Sequence, residues 1–139
     1  MASVVYNSYK LDALDANIDL SADTIKIALV TSTYTPDIDT HAFFDDITNE
    51  VVGTGYTAGG ETLAVTTSQD NTDDEGVFDA TDVTWATSTI TARGAVIYKS
   101  TGVAATSPLI CYIDFGADKT SSNGDYTISF NAEGILNLN

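Results

Sequence analysis

Histidine and cysteine occur once each, as His41 and Cys111, and only five of the 139 residues are Lys or Arg. One cysteine excludes a disulfide within the chain and any multi-cysteine zinc site. A Ser-His-Asp or Cys-His site would have to use His41 as its general base, and no Gly-x-Ser-x-Gly elbow accompanies it. The five cations face 20 Asp and Glu, for a net charge of -15. A nucleic-acid backbone would repel such a surface, because affinity there rests on Lys and Arg displacing counterions. An anionic membrane is disfavoured for the same reason. Long apolar runs are also missing. Stretches such as Leu109-Ile110-Cys111-Tyr112-Ile113 fall far short of the ~20 residues a membrane helix needs. Met1-Ala2-Ser3-Val4-Val5 has neither a basic region nor a long apolar core, so no export signal is predicted. Lys, Glu, Gln and Met, the straight-chain helix formers, are scarce.

What remains is rich in residues that suit pleated sheets. Hydrophobic residues make up 43% and mean hydropathy is +0.03, enough for a real core. Twenty-one residues are Thr, accompanied by many Val, Ile and Tyr, the β-branched and aromatic types. The length fits one domain over 1–139. We therefore expect a mainly β protein, an antiparallel β-sandwich or compact barrel with one or two short N-terminal helices.

Helical spacing of Tyr6, Tyr9, Ala13 and Leu14 predicts an amphipathic helix over 5–16. Ile25, Ile27 and Leu29 share one face of a strand over 24–31, while Lys26, Ala28 and Val30 make the other face half covered. Pro36 ends that strand. Asp39 or Thr40 would cap a second short helix over 42–47. Beyond the glycine-rich connection 53–60, strands are predicted at 62–68, 77–80, 81–86, 89–99, 108–115, 125–131 and 134–138. Asn123-Gly124 is a tight-turn pair. Parity along the strands places Ile25, Ile27, Leu29, Trp85, Val96, Tyr98, Leu109, Cys111, Ile113, Tyr126, Ile128 and Phe130 in the core.

The candidate chemistry is thin. His41 reads as a surface or capping residue, and Cys111 as a small hydrophobe in a strand with no basic neighbour to make a thiolate. Two carboxylates suffice for glycoside hydrolysis, but among Glu50, Glu61, Asp79 and Asp82 no pair stands out. Asp70-Asn71-Thr72-Asp73-Asp74-Glu75-Gly76 carries enough oxygen to suggest calcium. Its spacing departs from the calcium-loop pattern, since Thr72 takes the third ligand position and Gly76 is displaced, so a solvated hairpin tip is the plainer reading. Asp37-Ile38-Asp39 is a weaker candidate of the same kind. The glycines at 53, 55, 59 and 60 match no phosphate loop, and no Lys follows; backbone geometry explains them better. Tyr34, Tyr56, Trp85 and Tyr112 would stack on sugars if exposed, although Trp85 within Val83-Thr84-Trp85 reads as core. No catalytic, cofactor-binding or metal residue is assigned.

An ordered set of blocks remains. It comprises Asp23-Thr24-Ile25-Lys26-Ile27-Ala28-Leu29-Val30-Thr31-Ser32-Thr33-Tyr34-Thr35-Pro36-Asp37 with Asp39-Thr40-His41, then Gly53-Thr54-Gly55-Tyr56-Thr57-Ala58-Gly59-Gly60 and Val83-Thr84-Trp85. Thr91-Ala92-Arg93-Gly94-Ala95-Val96-Ile97-Tyr98 and Ser107-Pro108-Leu109-Ile110-Cys111-Tyr112-Ile113-Asp114-Phe115-Gly116 complete it. From about Tyr6 to Leu138 the chain resembles a family of small virion structural proteins of tailed bacteriophages. The resemblance implies a non-enzymatic role in the particle and carries over no catalytic residue. First among the implied roles is a capsid decoration, or cement, protein. It would be made in the host cytoplasm and bound to the outer capsid surface through the major capsid protein, as a homo-oligomer such as a trimer, without nucleic acid, membrane or cofactor. A tail, connector or fibre-base component is the alternative, and a receptor- or glycan-binding module a third.

Overall fold

The computed structural model describes residues 2–139. Strands take 45% of the residues and helical turns 10%, so the protein is mainly β, with antiparallel sheets and one helix near the N-terminus. The strands are β1 (Val4–Val5), β2 (Ile25–Val30), β3 (Glu61–Thr62), β4 (Val65–Asp70), β5 (Glu75–Ala80), β6 (Val83–Ser88), β7 (Thr91–Lys99), β8 (Leu109–Thr120), β9 (Gly124–Ile128) and β10 (Leu136–Leu138). They form a five-stranded sheet in the order β1-β8-β7-β2-β3, a three-stranded sheet β10-β5-β4 and a two-stranded sheet β6-β9. The sheets remain separate with free edges, which favours the sandwich over a closed barrel.

The centre of the large sheet is buried on both faces. Ile25, Ile27, Leu29, Ala95, Ile97 and Ile110 join one core with Phe78, Trp85 and Tyr126 from the smaller sheets. Ala28, Val30, Val96, Tyr98, Leu109 and Tyr112 form a second core with Tyr6 and Tyr34. The expected half-covered face of β2 is thus closed over Ala28 and Val30 by a tyrosine layer from outside the sheet. Two-sided burial explains why β2 and β7 read as nearly continuous apolar runs rather than as clean alternation. Of the predicted core, Ile113 and Phe130 are only half-buried, and the rest is buried.

The N-terminal helix is shorter than its periodicity predicts, α1 (Asn7–Leu14), and only Tyr9 on it is buried. Leu14 is 85% exposed, so the expected apolar stripe does not exist. Tyr6 lies just before the helix in extended conformation and enters the other core. Val4 and Val5 pair with Tyr112 and Cys111, so this apolar segment packs on the protein's own sheet.

The second predicted helix is a single 3-10 turn, Phe44–Asp46. Its start is held not by Asp39 or Thr40 but by Asp46, whose carboxylate accepts the amides of Ala42 (2.8 Å) and Phe43 (3.0 Å). Asp37 takes the amides of Asp39 (3.0 Å) and Thr40 (3.1 Å) in an Asx turn. The predicted strand 62–68 breaks at Leu63-Ala64: β3 pairs with β2, whereas β4 pairs with β5.

In the glycine-rich connection, Gly60 has φ +74°, and a Cβ there would lie 1.8 Å from the Ile27 carbonyl oxygen. Close approach to β2 is therefore what requires glycine here.

Trp85 is 2% exposed, with Tyr126 edge-on at 6.2 Å between ring centroids. Trp85→Ala should cost about 3–5 kcal/mol in denaturant-induced unfolding, the range for deleting a buried aromatic. A loss below about 1 kcal/mol would contradict the buried position.

Candidate functional site

The turn 121–123 joins two strands that do not pair. Asn123 has the left-handed backbone expected of it, φ 47°. Yet β8 lies against β7, while β9 crosses to the opposite sheet and pairs with β6, from Val83↔Ile128 to Ser88↔Gly124. Buried hydroxyls fasten this crossing: Ser88 Oγ meets Ser121 Oγ at 2.7 Å and donates to the Gly124 carbonyl at 3.0 Å. From that point β8 and β9 diverge.

A groove of about 690 Å³ lies between them. Ile113 and Phe115 of β8 line one side; Tyr126, Ile128, Phe130 and Ile135 line the other, with Lys119 and Asp125 at its polar margin. The Tyr126 hydroxyl is buried here without a hydrogen-bond partner. Burial pushes its pKa up to about 12. Between Ile113 and Phe115, Asp114 ties β8 to β7: Arg93 Nε donates to it at 2.9 Å and holds that carboxyl below the usual range. Ser3 Oγ accepts the Asp114 amide at 2.9 Å.

Of the residues the sequence offered for chemistry or ligand stacking, only Cys111 and Tyr112 line this groove. His41 ends a hydrogen-bonded chain. Tyr6 and Tyr34 hydroxyls are 2.8 Å apart, and Tyr34 Oη is 2.9 Å from His41 Nδ1. The Asp37 amide, which can only donate, also points at Nδ1, at 3.2 Å. Nδ1 is therefore the acceptor, Tyr34 donates to it, and Tyr6 donates to Tyr34. The imidazole is a terminus for buried phenols, with its rings stacked on Tyr34 at 5.7 Å. Cys111 is buried, and desolvation raises its thiol pKa to about 12.

The carboxylates are likewise dispersed among backbone donors. Glu50 accepts from Tyr56 Oη and the Gly59 amide, both at 2.6 Å, and so clamps the glycine-rich loop. Asp79 accepts the amide of Ala80, Asp82 that of Phe130, and Glu61 is exposed on β3. In the acidic run, oxygens of Asp70, Asp73 and Glu75 come within 4.8 Å of one another. Asp70 already holds the amides of Thr72 and Asp73, and Glu75 accepts from Asn137 Nδ2 at 2.8 Å. The run is the closed tip of the β4–β5 hairpin. Tyr34, Trp85 and Tyr112 are buried, so they offer no stacking platform for a sugar.

Sequence reasoning placed Tyr126, Ile128 and Phe130 on one strand face but missed the groove, because alternation gives a strand's faces and not its neighbours. The apolar pair Ile135-Leu136 after Gly134 was its one further signal. No family model matches the chain, nor does any curated protein or solved structure.

Two outcomes follow from the buried phenols and thiol. Cys111 should resist iodoacetamide at pH 8 in the native protein and react on unfolding, as mass spectrometry would register; labelling at equal rates in both states would contradict its burial. Stability should also fall in alkali. Cys111, Tyr6, Tyr34, Tyr56, Tyr98 and Tyr126 all have raised pKa values, burial being the first cause of each. The unfolded chain releases these protons from about pH 9–10 upward while the folded chain keeps them, so the contribution is complete below that range and is lost as pH rises. Each group adds a slope of about 1.4 kcal/mol per pH unit within its window. Urea denaturation between pH 8 and 11.5 should show it, and a flat profile would refute it.

Proposed function

We propose that the protein is a non-enzymatic structural component of a tailed-bacteriophage virion, acting as a decoration protein on the shell of the major capsid protein. The observation that carries the reading is the apolar groove at the open side of the sandwich in a chain of net charge -15. Apolar recesses of about 300–1,000 Å³ are the usual form of a binding site, and a strongly acidic remainder keeps the protein soluble and away from packaged DNA. Two further points support it. The ordered blocks that resemble virion proteins include both central strands. The two residues best suited to nucleophilic chemistry are engaged in packing, His41 by Tyr34 and Asp37, Cys111 by the core.

Cryo-electron microscopy of the phage particle, with copy number from quantitative mass spectrometry, tests the proposal. The expected result is density at symmetry-related sites over the outer shell, with copies in fixed proportion to the major capsid protein. A single ring at a vertex or in the tail would replace decoration with a connector role, and absence from the particle would end the virion reading. His41→Ala should leave particle occupancy unchanged while lowering stability by about 1 kcal/mol through the lost hydrogen bond.

A further inference from the structure

The groove has a feature that a simple apolar patch lacks: one of its walls is a strand edge. β9 pairs with β6 alone among the described residues, which leaves the backbone donors and acceptors of its other edge without a strand. Such an edge is a template for another chain, and proteins ordinarily cover it. Asp125, Tyr126, Thr127 and Ile128 of this strand line the groove together with Ile113 and Phe115 of β8. β9 has five residues, about 17 Å at strand rise, the length of a common β-strand. The groove beside it, about 690 Å³ and mostly apolar, falls in the size range of about 300–1,000 Å³ that binding sites commonly have. The Tyr126 side chain, more than nine-tenths buried, carries a hydroxyl with no partner beside this space.

We propose that the groove receives an extended segment of a protein partner, apolar at alternate positions and basic at its ends, which adds as a strand to the free edge of β9. Strand addition gains affinity from main-chain hydrogen bonds and specificity from pockets for alternate side chains, and the groove offers both. The charge of the segment follows from its surroundings. Asp125 stands at the margin, Asp118 acts on Tyr126, and the whole chain is at -15, with Lys119 the one cation among the lining residues. A second copy does not fit. Its basic residues are Lys10 in α1 and Lys26, Arg93, Lys99 and Lys119 in β2, β7 and β8, all in elements the fold already uses. Among the described residues, no segment joins free extended backbone to a basic side chain. The inference rests on the virion reading only for where the partner is found; strand capture is independent of it.

The test uses the full-length protein and three synthetic peptides. One alternates Val and Thr between Lys-flanked ends, one replaces Lys with Glu, and one repeats the first with N-methylated amides on alternate residues. Binding is followed by Trp85 fluorescence and by NMR hydrogen exchange of the β9 amides. The Lys-flanked peptide should bind, slow exchange along 125–128, and exceed each of the other two at least tenfold in affinity. Phe115→Lys should lower its affinity at least tenfold, and Phe130→Ser serves the same purpose if the first variant does not fold. Equal binding of the N-methylated peptide would overturn strand addition, and equal binding of the Glu-flanked one would overturn the basic partner. No binding at about 1 mM Lys-flanked peptide would overturn the receptor itself. Self-association by sedimentation that disappears in Phe115→Lys would make a second copy the occupant and overturn the choice of partner. Peptide capture with no presence in virions would sink the virion reading alone, whereas virion presence without capture would sink this inference alone.

Discussion

The structure depends on burying both faces of one antiparallel strand pair, β2 and β7. Their register runs Ile25↔Lys99 to Val30↔Gly94 without a break. One face needs the smaller sheets; the other needs something that is not a sheet. The second cover is built from tyrosines contributed by distant segments, Tyr6 before α1 and Tyr34 after β2, meeting Tyr98 and Tyr112 of the sheet itself. Large rings fit there because the strands beneath are trimmed. A Cβ on Gly94 would lie 2.5 Å from the Tyr112 hydroxyl, and Ala28 presents only a methyl. Phenols brought inside must keep their hydrogen bonds or sacrifice stability. That is what orders Tyr6, Tyr34 and His41 into a relay and ties Tyr98 to the Gly59 carbonyl at 2.6 Å.

The same packing explains how so acidic a chain folds. Arg93–Asp114 and Lys99–Asp23 are its prominent ion pairs. Many other carboxylates act as acceptors for backbone amides at turns: Asp19 for Ser21, Asp37 for Asp39 and Thr40, Asp46 for Ala42 and Phe43, Asp70 for Thr72. Negative charge is thereby placed at loops, where it satisfies amides that the sheets cannot and remains in water. The strands are left nearly free of charge on their buried faces.

The groove is a consequence of where the chain changes sheets. After Thr120 the large sheet has no further use for the chain, and Ser88 and Ser121 pin the next strand to β6. Two strands joined by a three-residue turn consequently stand apart, with an apolar cleft between them and an open edge on β9. An assembly protein gains from this arrangement, because an edge that would be a hazard on a bare surface becomes a specific site when it lies inside a cleft.

Composition and period determined a good deal. Threonine and β-branched residues at period two made the protein β; the glycine-rich stretch 53–60 lies between strands as a connection, whereas β2 already ends at Val30, before Pro36; the apolar parity of Trp85, Tyr126 and Ile128 placed them inside. These are local properties, fixed by φ/ψ preference and by which side of a strand a residue faces. Tertiary structure alone decided the rest. Asn123-Gly124 specifies a turn but not whether the strands it joins will pair. Leu14 belongs to the apolar pattern yet faces solvent, because at about 100° per residue it stands roughly 140° around the helix from the buried Tyr9. Val30 looks half covered until a tyrosine from another segment closes over it. Pairing, layer and groove depend on contacts between residues far apart in sequence, and periodicity carries no record of those.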